Sequence, residues 1–160
     1  GGVMEAALRT SNYLITGSDI STIEFQAVRG LKGVKESEID IGGSKVRVAV
    51  AHGLSNVEYV IDKVRKAKQN NQETPYHFIE VMACFGGCVG GGGQPYMVTD
   101  ELRVKRAAAL YSDDAGKEIR LAHLNPYIKR LYEEFLNKPL SETSKKLLHT
   151  EYQPRPLYKK

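Results

Sequence analysis

The first fifty residues contain two clear patterns of apolar and polar positions. Residues 3–16 place apolar side chains at roughly helical spacing, and Gly17 follows as a helix-ending glycine, so a helix is predicted there. Residues 37–41 and 45–51 alternate between apolar and polar on either side of Gly42-Gly43. Two alternating runs around such a glycine pair predict a β-hairpin.

The next stretch predicts a strand–helix–strand unit. Apolar positions in residues 55–68 form one face of an amphipathic helix, which Ser55 or Asn56 could cap. Residues 76–83 are almost continuously apolar, which predicts a buried strand. Together with the strand at 45–51, these segments predict a βαβ unit whose two strands are parallel.

The remaining segments complete the predicted architecture. Residues 23–28 alternate as a half-buried strand would, and residues 29–34 contain two glycines and predict a loop. Three further helices are predicted at 101–110, 125–136 and 141–149. The expected fold class is therefore α/β, with a partly parallel sheet flanked by helices, a β-hairpin, and a helical C-terminal tail.

Composition and charge exclude several function classes. The 160 residues are 41% hydrophobic and 26% charged, as in ordinary globular proteins, and two cysteines exclude a disulfide-rich scaffold. No apolar run approaches the roughly 20 residues that cross a bilayer. The net charge of +4 is mild and no nucleic-acid-binding motif is present, so neither nucleic acid nor membrane is expected as a partner. Since the chain opens without an initiator Met, we expect it to be the interior of a longer protein.

The segment with the most chemical information follows the strand predicted at 76–83. Cys84 and Cys88 come just after its carboxyl end, where open α/β sheets bind their ligands. Six of the eight residues at 86–93 are glycine, which lets the backbone approach a bulky group and direct N–H groups toward it. Spacing alone leaves three interpretations open: iron–sulfur cluster ligands, inert or redox-active thiols, and half of a zinc site.

The segment from Met82 to Pro95 resembles the third signature motif of the [FeFe] (iron-only) hydrogenases. It reads Met-x-Cys-x-Gly-Gly-Cys-x-x-Gly-Gly-Gly-Gln-Pro and agrees at every defined position, while Phe85 stands where many members have proline. The resemblance covers nearly the whole chain. It implies that residues 1–100 are the C-terminal part of the large-subunit domain that holds the catalytic cluster, the H-cluster. Residues 101–160 resemble a small-subunit segment fused behind it.

The resemblance also implies roles for individual residues. In this family four cysteines hold a [4Fe–4S] cubane, and one of their sulfurs bridges to a diiron subcluster at which protons are reduced reversibly to dihydrogen. Cys84 matches a plain cubane ligand and Cys88 matches the bridging ligand. Met82 matches a methionine beside the diiron site, although an ordinary core methionine is the alternative. Gly86 and Gly87 match part of the glycine wrap around the cluster.

Glu80 has two possible roles in such a site. It could tune a proton path, or it could be a hydrogen-bonded structural carboxylate, which we favour because it lies on a strand among apolar neighbours.

The match is incomplete, because the family's two other cubane cysteines lie in upstream motifs that this sequence lacks. We therefore expect this fragment to be inactive alone, with an incomplete cluster or none. Its expected partners are the missing N-terminal part of the same enzyme and either ferredoxin or NAD(P)-linked electron-transfer subunits. A cytoplasmic oxidoreductase is expected. The alternative is a hydrogenase-like, non-enzymatic iron–sulfur protein, either a cluster assembly factor or a sensor.

Overall fold

A computed structural model of the protein describes residues 2–20, 26–27 and 33–154, with only the backbone of 26–27. The chain forms two compact units, Gly1–Arg120 and Leu121–Lys160, and each is described separately. In the described part, no helix is both long enough and apolar enough to span a membrane.

The first unit is a mixed sheet with helices. Its elements in chain order are α1 (Gly2–Thr16), β1 (Gln26–Ala27), β2 (Val34–Ile41), β3 (Ser44–His52), α2 (Leu54–Gln69), β4 (Phe78–Met82) and α3 (Asp100–Ala115). The strand order is β1-β2-β3-β4; β1–β2 and β2–β3 are antiparallel, whereas β3–β4 is parallel. The predicted α/β class, with a partly parallel sheet and a βαβ unit, is confirmed.

The hairpin between β2 and β3 forms at the predicted glycine pair. Gly42 and Gly43 have φ angles of +61° and +85°, values that side-chain-bearing residues rarely adopt and that match a two-residue hairpin turn. The Asp40 carboxylate accepts a hydrogen bond from the Gly43 N–H at 2.8 Å. Strand β2 begins at Val34, three residues before the predicted start, so the last residue of the predicted loop belongs to the strand.

Part of the N-terminal prediction lies outside the described residues. The strand predicted at 23–28 is described only at Gln26–Ala27, which do form β1. Residues 29–32 of the predicted loop also lie outside the described part of the chain.

Strand β3 is the centre of the core, because its two faces are covered by different helices. Val48 and Val50 pack with Met4 and Leu8 of α1, and Ala49 and Ala51 lie on the opposite face with Val60 of α2. The first cluster also includes Ile41, and the second includes Val34. The alternation along β3 therefore turns two consecutive side chains toward two separate apolar clusters.

The prediction that the strand at 76–83 is buried was wrong. In the structure β4 spans Phe78–Met82, and Phe78 and Val81 are 48% and 51% exposed. Among the described strands β4 is last in the order and pairs only with β3, so it is an edge strand. A continuous apolar run shows that a strand can be buried on both faces but not that this chain supplies the cover.

The start of α2 also differs from the prediction. Gly53, with φ of +81°, occupies the N-cap position, and no side chain caps the helix. Neither Ser55 nor Asn56 is therefore the N-cap. The Asn56 amide instead donates a hydrogen bond to the carbonyl oxygen of His52 at 2.6 Å, which ties the helix back to the end of β3.

The second unit is helical, as predicted for the C-terminal tail. It contains a 3-10 turn (Ala122–Leu124), α4 (Pro126–Leu131), a π-helical turn (Tyr132–Leu136) and α5 (Glu142–Leu148). Asn125 caps α4 through its side chain and Pro126 takes the first helical position, while Ser141 caps α5. The helix predicted at 125–136 is thus an α-helix that continues into a π-helical turn.

Candidate functional site

The two cysteines lie on a loop at one edge of the sheet. Because β3 and β4 are parallel, with His52 paired to Met82, their carboxyl ends meet at this edge. The Gly53 N–H donates to the Met82 carbonyl at 2.7 Å and fixes the point where the loop leaves β4. Cys84 and Cys88 are free thiols and both are exposed. The crevice expected at the carboxyl end of the parallel pair therefore carries both sulfurs.

Glycines fold this loop back on itself. Gly86 and Gly87 both have φ of +80°, and the Gly87 N–H donates to the carbonyl of Cys84 at 3.0 Å. A Cβ placed on Gly91 would lie 3.4 Å from Cys84 Sγ and 3.4 Å from the Cys88 carbonyl oxygen. The Cys84 sulfur therefore rests over the backbone that follows Cys88, and a glycine at 91 lets the two segments approach.

Met82 lies against the same loop on its inner side. A Cβ on Gly87 would be 3.1 Å from Met82 Sδ and 3.9 Å from His52 Nε2. The thioether and the imidazole thus converge on the residue that directly precedes Cys88. Met82 is half-buried, a position open to both roles that the sequence allows.

His52 is the site residue that sequence reasoning missed. It is only 7% exposed, its N–H donates to the Gly33 carbonyl at 2.7 Å, and its Nε2 is buried without a hydrogen-bond partner among the described residues. Burial lowers the pKa of His52 below its usual value, because it disfavours the charged form of the ring. The sequence could have indicated His52 by its position, because it ends a strand that was predicted to pair in parallel with the strand leading to the cysteines.

The Glu80 carboxylate forms a hydrogen bond with the backbone of α1. It is buried, and its Oε2 accepts a hydrogen bond from the backbone N–H of Met4 at 3.1 Å. Met4 lies in the first turn of α1, where a carboxylate satisfies an otherwise unpaired amide and interacts favourably with the helix dipole. This contact favours the structural role for Glu80.

Two arginines of α3 hold the outer side of the loop. Arg106 donates from Nη1 to the Val89 carbonyl at 3.0 Å and from Nη2 to the Pro95 carbonyl at 3.3 Å. The Arg103 guanidinium lies 5.3 Å from the centre of the Phe85 ring. Sequence reasoning did not identify either arginine, because no local pattern links α3 to a loop more than ten residues upstream.

Arg103 also explains why two of the loop positions are glycine. A Cβ on Gly86 would lie 2.6 Å from Arg103 Cδ, and a Cβ on Gly90 would lie 2.7 Å from Arg103 Nε. The Nε atom is buried and has no hydrogen-bond partner within the described ranges. The side chain of Arg103 therefore fills the space that side chains at these glycines would need.

The loop has the features that an iron–sulfur cluster requires. It offers two soft thiols and a glycine-lined backbone. Beside it, the buried Nε of Arg103 makes no hydrogen bond to any described residue, and cluster sulfurs accept hydrogen bonds. Within the described residues, however, no group of three or more His, Cys, Asp or Glu side chains could hold a metal ion. The residues present therefore fit one side of a cluster site, and further ligands must come from elsewhere.

Two family models match this chain. The model described as "Iron only hydrogenase large subunit, C-terminal domain" matches residues 1–92, and the model described as "Iron hydrogenase small subunit" matches residues 100–155. The first match ends at residue 92, after both cysteines, and the second begins at residue 100, where α3 starts.

Individual proteins give the same result. The chain is 50% identical over 153 residues to the "NADP-reducing hydrogenase subunit HndD" of Solidesulfovibrio fructosivorans, covering 95% of this chain and 25% of that protein. A solved structure of a variant of the [FeFe]-hydrogenase HydA1 from Chlamydomonas reinhardtii aligns with a TM-score of 0.77 and 35% identity, over 94% of this chain and 44% of that one.

A protein that is not named as a hydrogenase is also similar to this chain. "Cytosolic iron-sulfur assembly component 3" of Mus musculus is 30% identical over 158 residues, which is 95% of this chain and 31% of that protein. The chain thus spans between a quarter and a half of the length of the proteins that it resembles.

Proposed function

Since this chain belongs to the iron-only hydrogenase family, we propose that it supplies Cys84 and Cys88 as two of the four cysteine ligands of the catalytic cluster of a hydrogenase. One observation carries the proposal. Both thiols belong to a glycine-rich loop at the carboxyl end of a parallel strand pair, and Cys84 Sγ lies close to the backbone that follows Cys88. Neither a disulfide nor a complete zinc site is formed by the described residues.

The residues of the loop have distinct proposed roles. Cys84 is a cubane ligand, and Cys88 is the ligand whose sulfur joins the [4Fe–4S] cubane to the diiron subcluster. Met82 packs beside the diiron group, and Gly86 and Gly87 bring the backbone close to the cluster. When bound, this group supplies the chemistry of reversible proton reduction to dihydrogen.

The rest of the chain positions this loop. The hydrogen bond from Gly53 to Met82 fixes the point where the loop leaves β4. Glu80 of β4 accepts a hydrogen bond from Met4 and so holds the N-terminus of α1 against the sheet. Arg103 lies against Gly86 and Gly90, and Arg106 donates a hydrogen bond to the Val89 carbonyl. These contacts on both sides of the loop would help to keep the two sulfurs in one orientation for a ligand.

The proposed site is only complete with a second part of the enzyme. Two ligands cannot close a four-cysteine cluster, so the chain alone should lack hydrogenase activity. We propose that residues 1–100 form the C-terminal part of the large-subunit domain and that residues 101–160 form a fused small-subunit segment. Electron partners would be ferredoxin or NAD(P)-linked subunits, and the enzyme would be cytoplasmic.

A second candidate is a non-enzymatic iron–sulfur protein of the same fold. It is favoured by the 30% identity to a cytosolic iron–sulfur assembly component, and a sensory role would need the same cysteines. The 50% identity to a hydrogenase subunit favours the enzyme instead. The complete cysteine–glycine motif from Met82 to Pro95 points the same way.

The test is dihydrogen evolution from reduced viologen by the protein extended upstream to include the missing cysteine motifs. It would be reconstituted without oxygen with iron, sulfide and a synthetic diiron cofactor. Cys88→Ser should abolish turnover, because serine replaces the bridging sulfur with oxygen. Phe85→Leu is the matched control: it changes a residue between the two cysteines that carries no ligand atom, and it should retain turnover.

The outcomes separate the two candidates. Turnover that is lost in Cys88→Ser and kept in Phe85→Leu supports a hydrogenase with Cys88 at its centre. A cubane spectrum without dihydrogen evolution would refute the enzyme and support the assembly or sensory protein. Turnover that persists in Cys88→Ser would refute the proposed role of that cysteine.

A further inference from the structure

The two cysteines of this chain, Cys84 and Cys88, are both exposed free thiols on one loop. Exposed thiols react with small disulfides and other oxidants. The oxidation is readily reversed when a second thiol lies close enough to complete a disulfide. The pair therefore has a possible chemistry of its own, in addition to binding a metal.

The fold of the loop brings the two cysteines close together. A Cβ built on Gly91 would lie 3.4 Å from Cys84 Sγ and 3.8 Å from Cys88 Cα, so these two atoms cannot be farther apart than the sum of those distances, 7.2 Å. The Gly87 N–H donates to the Cys84 carbonyl at 3.0 Å, which closes a turn just before Cys88. A disulfide needs α-carbons roughly 4.4–6.8 Å apart, so the loop has already made most of the required approach.

Glycines give the loop the freedom to make the remaining movement. Gly86 and Gly87 lie between the two cysteines, and both have φ of +80°. Glycine changes its backbone angles at little steric cost, and it has no side chain that must be displaced. The segment between the cysteines can therefore adjust to the geometry of a disulfide while the strands that precede it stay in place.

We propose that Cys84 and Cys88 form a reversible intramolecular disulfide when no cluster is bound, and that this disulfide blocks cluster loading until it is reduced. The disulfide itself does not depend on the proposed function, whereas the block on loading rests on it. The disulfide protects both sulfurs from irreversible oxidation to sulfinic and sulfonic acids, because reduction returns it to two thiols.

The oxidant in this step is a low-molecular-weight disulfide. One cysteine thiolate attacks a sulfur of the small disulfide, whose S–S bond breaks as one small thiolate leaves, and a mixed disulfide forms. The other cysteine thiolate attacks the protein sulfur of that mixed disulfide and releases the second small thiolate. The protein loses two electrons and two protons, and the small disulfide takes up both and becomes two thiols.

The first experiment uses the iron-free 160-residue chain, equilibrated with reduced and oxidised glutathione, alkylated and analysed by mass spectrometry. Cys84→Ser and Cys88→Ser each keep one thiol, so they can form only the mixed disulfide. Gly91→Val adds a branched side chain where Cys84 Sγ meets the Cys88 backbone, at a φ of −84° that valine tolerates. Gly92→Val is the matched control, because a Cβ there meets nothing within 4 Å.

The parent chain should lose the mass of two hydrogens and stay monomeric. With reduced glutathione at about 0.1 mM, the mixed disulfide should be about tenfold less abundant in the parent than in either serine variant, since a second thiol on a short flexible segment has an effective concentration of mM order. Gly91→Val should lower the ratio of disulfide to dithiol about fivefold or more, because crowding separates the two segments. Gly92→Val should match the parent.

The second experiment tests the block on loading in the protein extended upstream to the missing cysteine motifs. After oxidation by the same small disulfide, peptide mass spectrometry should place a disulfide between Cys84 and Cys88. Iron and sulfide should then enter the oxidised protein only after treatment with a dithiol reductant, whereas protein that was never oxidised should take them up directly.

Other results overturn the inference. A mixed disulfide as abundant in the parent as in the serine variants, or equal disulfide in Gly91→Val and Gly92→Val, would show that the folded loop does not pair the cysteines. Equal iron uptake by the oxidised and reduced proteins would refute the block on loading. A reduced, extended protein that takes up no cluster would refute the proposed function, while the result with the 160-residue chain still decides the disulfide.

Discussion

Removing the Arg106 side chain should loosen the cysteine loop without unfolding the sheet. Arg106 bridges two loop carbonyls, those of Val89 and Pro95, from the middle of α3. In Arg106→Ala both bonds are lost, while the helix keeps a residue of high helix propensity. The loop should then open more often, although the core around β3 is unchanged.

The size of the effect follows from the two contacts. A hydrogen bond from a charged donor contributes about 1.5–3 kcal/mol. The bond to Val89 is half-buried at 3.0 Å, whereas the bond to Pro95 is exposed and longer at 3.3 Å, so it should add little. We therefore expect the free energy of loop opening to fall by about 1.5–2 kcal/mol, which is roughly a ten- to thirtyfold change in the opening equilibrium.

Amide hydrogen exchange measures this opening directly. The N–H groups of Gly90, Gly91 and Gln94 all donate within the loop, at 3.0, 3.1 and 3.0 Å. In Arg106→Ala they should exchange ten- to thirtyfold faster, and the amides of β3 should not change.

Lys105→Ala provides the matched control on the same helix. Lys105 forms an ion pair with exposed Glu101, and a surface pair of this kind contributes about 0–1 kcal/mol. In Lys105→Ala the amides of Gly90, Gly91 and Gln94 should exchange at the same rates as in the parent protein. Equal loop exchange in Arg106→Ala and Lys105→Ala would refute the conclusion that Arg106 holds the loop.

Two further predictions concern backbone conformation and pH. Gly87 has φ of +80° and ψ of −164°, so Gly87→Ala should cost about 1–3 kcal/mol. In the protein extended upstream and loaded with the cubane, this variant should lose iron to a chelator faster than the parent, whereas Gly92→Ala, in open space, should match the parent; equal rates would contradict the prediction. Burial alone would raise the pKa of Glu36, but hydrogen bonds from Lys63 and Tyr76 outweigh it and hold that pKa below its usual value of 4.5. A lowered folded-state pKa stabilises the fold above the unfolded value and ceases to do so as pH falls through the folded value. In urea unfolding, Glu36→Gln should therefore reduce the difference in stability between pH 7 and pH 3 by about 1 kcal/mol or less, since the Glu36–Lys63 pair is one-third exposed. An unaltered difference would refute the coupling.

Local patterns in the sequence were enough to predict most of the elements. The Gly42-Gly43 pair predicted the hairpin because its turn needs two positive φ angles, and the observed turn has them. Alternation in residues 45–51 and helical spacing in 55–68 predicted the βαβ unit for the same reason, since both periods follow from backbone geometry. The position of the cysteines beyond a parallel strand followed from that unit.

Contacts between distant residues could not be predicted in this way. Glu80 binds the Met4 amide, which is 76 positions away, and Arg106 binds Val89 across 17 positions. The exposure of Phe78 depends on what covers β4, which no property of the strand itself determines. His52 ended a predicted strand, but only the pairing of β3 with β4 shows that it lies next to Met82.

The most direct test of the central claim is a count of iron and acid-labile sulfide in the protein extended upstream, with the Cys84→Ser and Cys88→Ser variants beside it. Cubane ligation predicts about four iron and four sulfide atoms per chain in the parent, with its characteristic spectrum, and a loss or conversion of the cluster in each variant. Full iron and sulfide with unchanged spectra in both variants would contradict the claim that Cys84 and Cys88 hold the cluster.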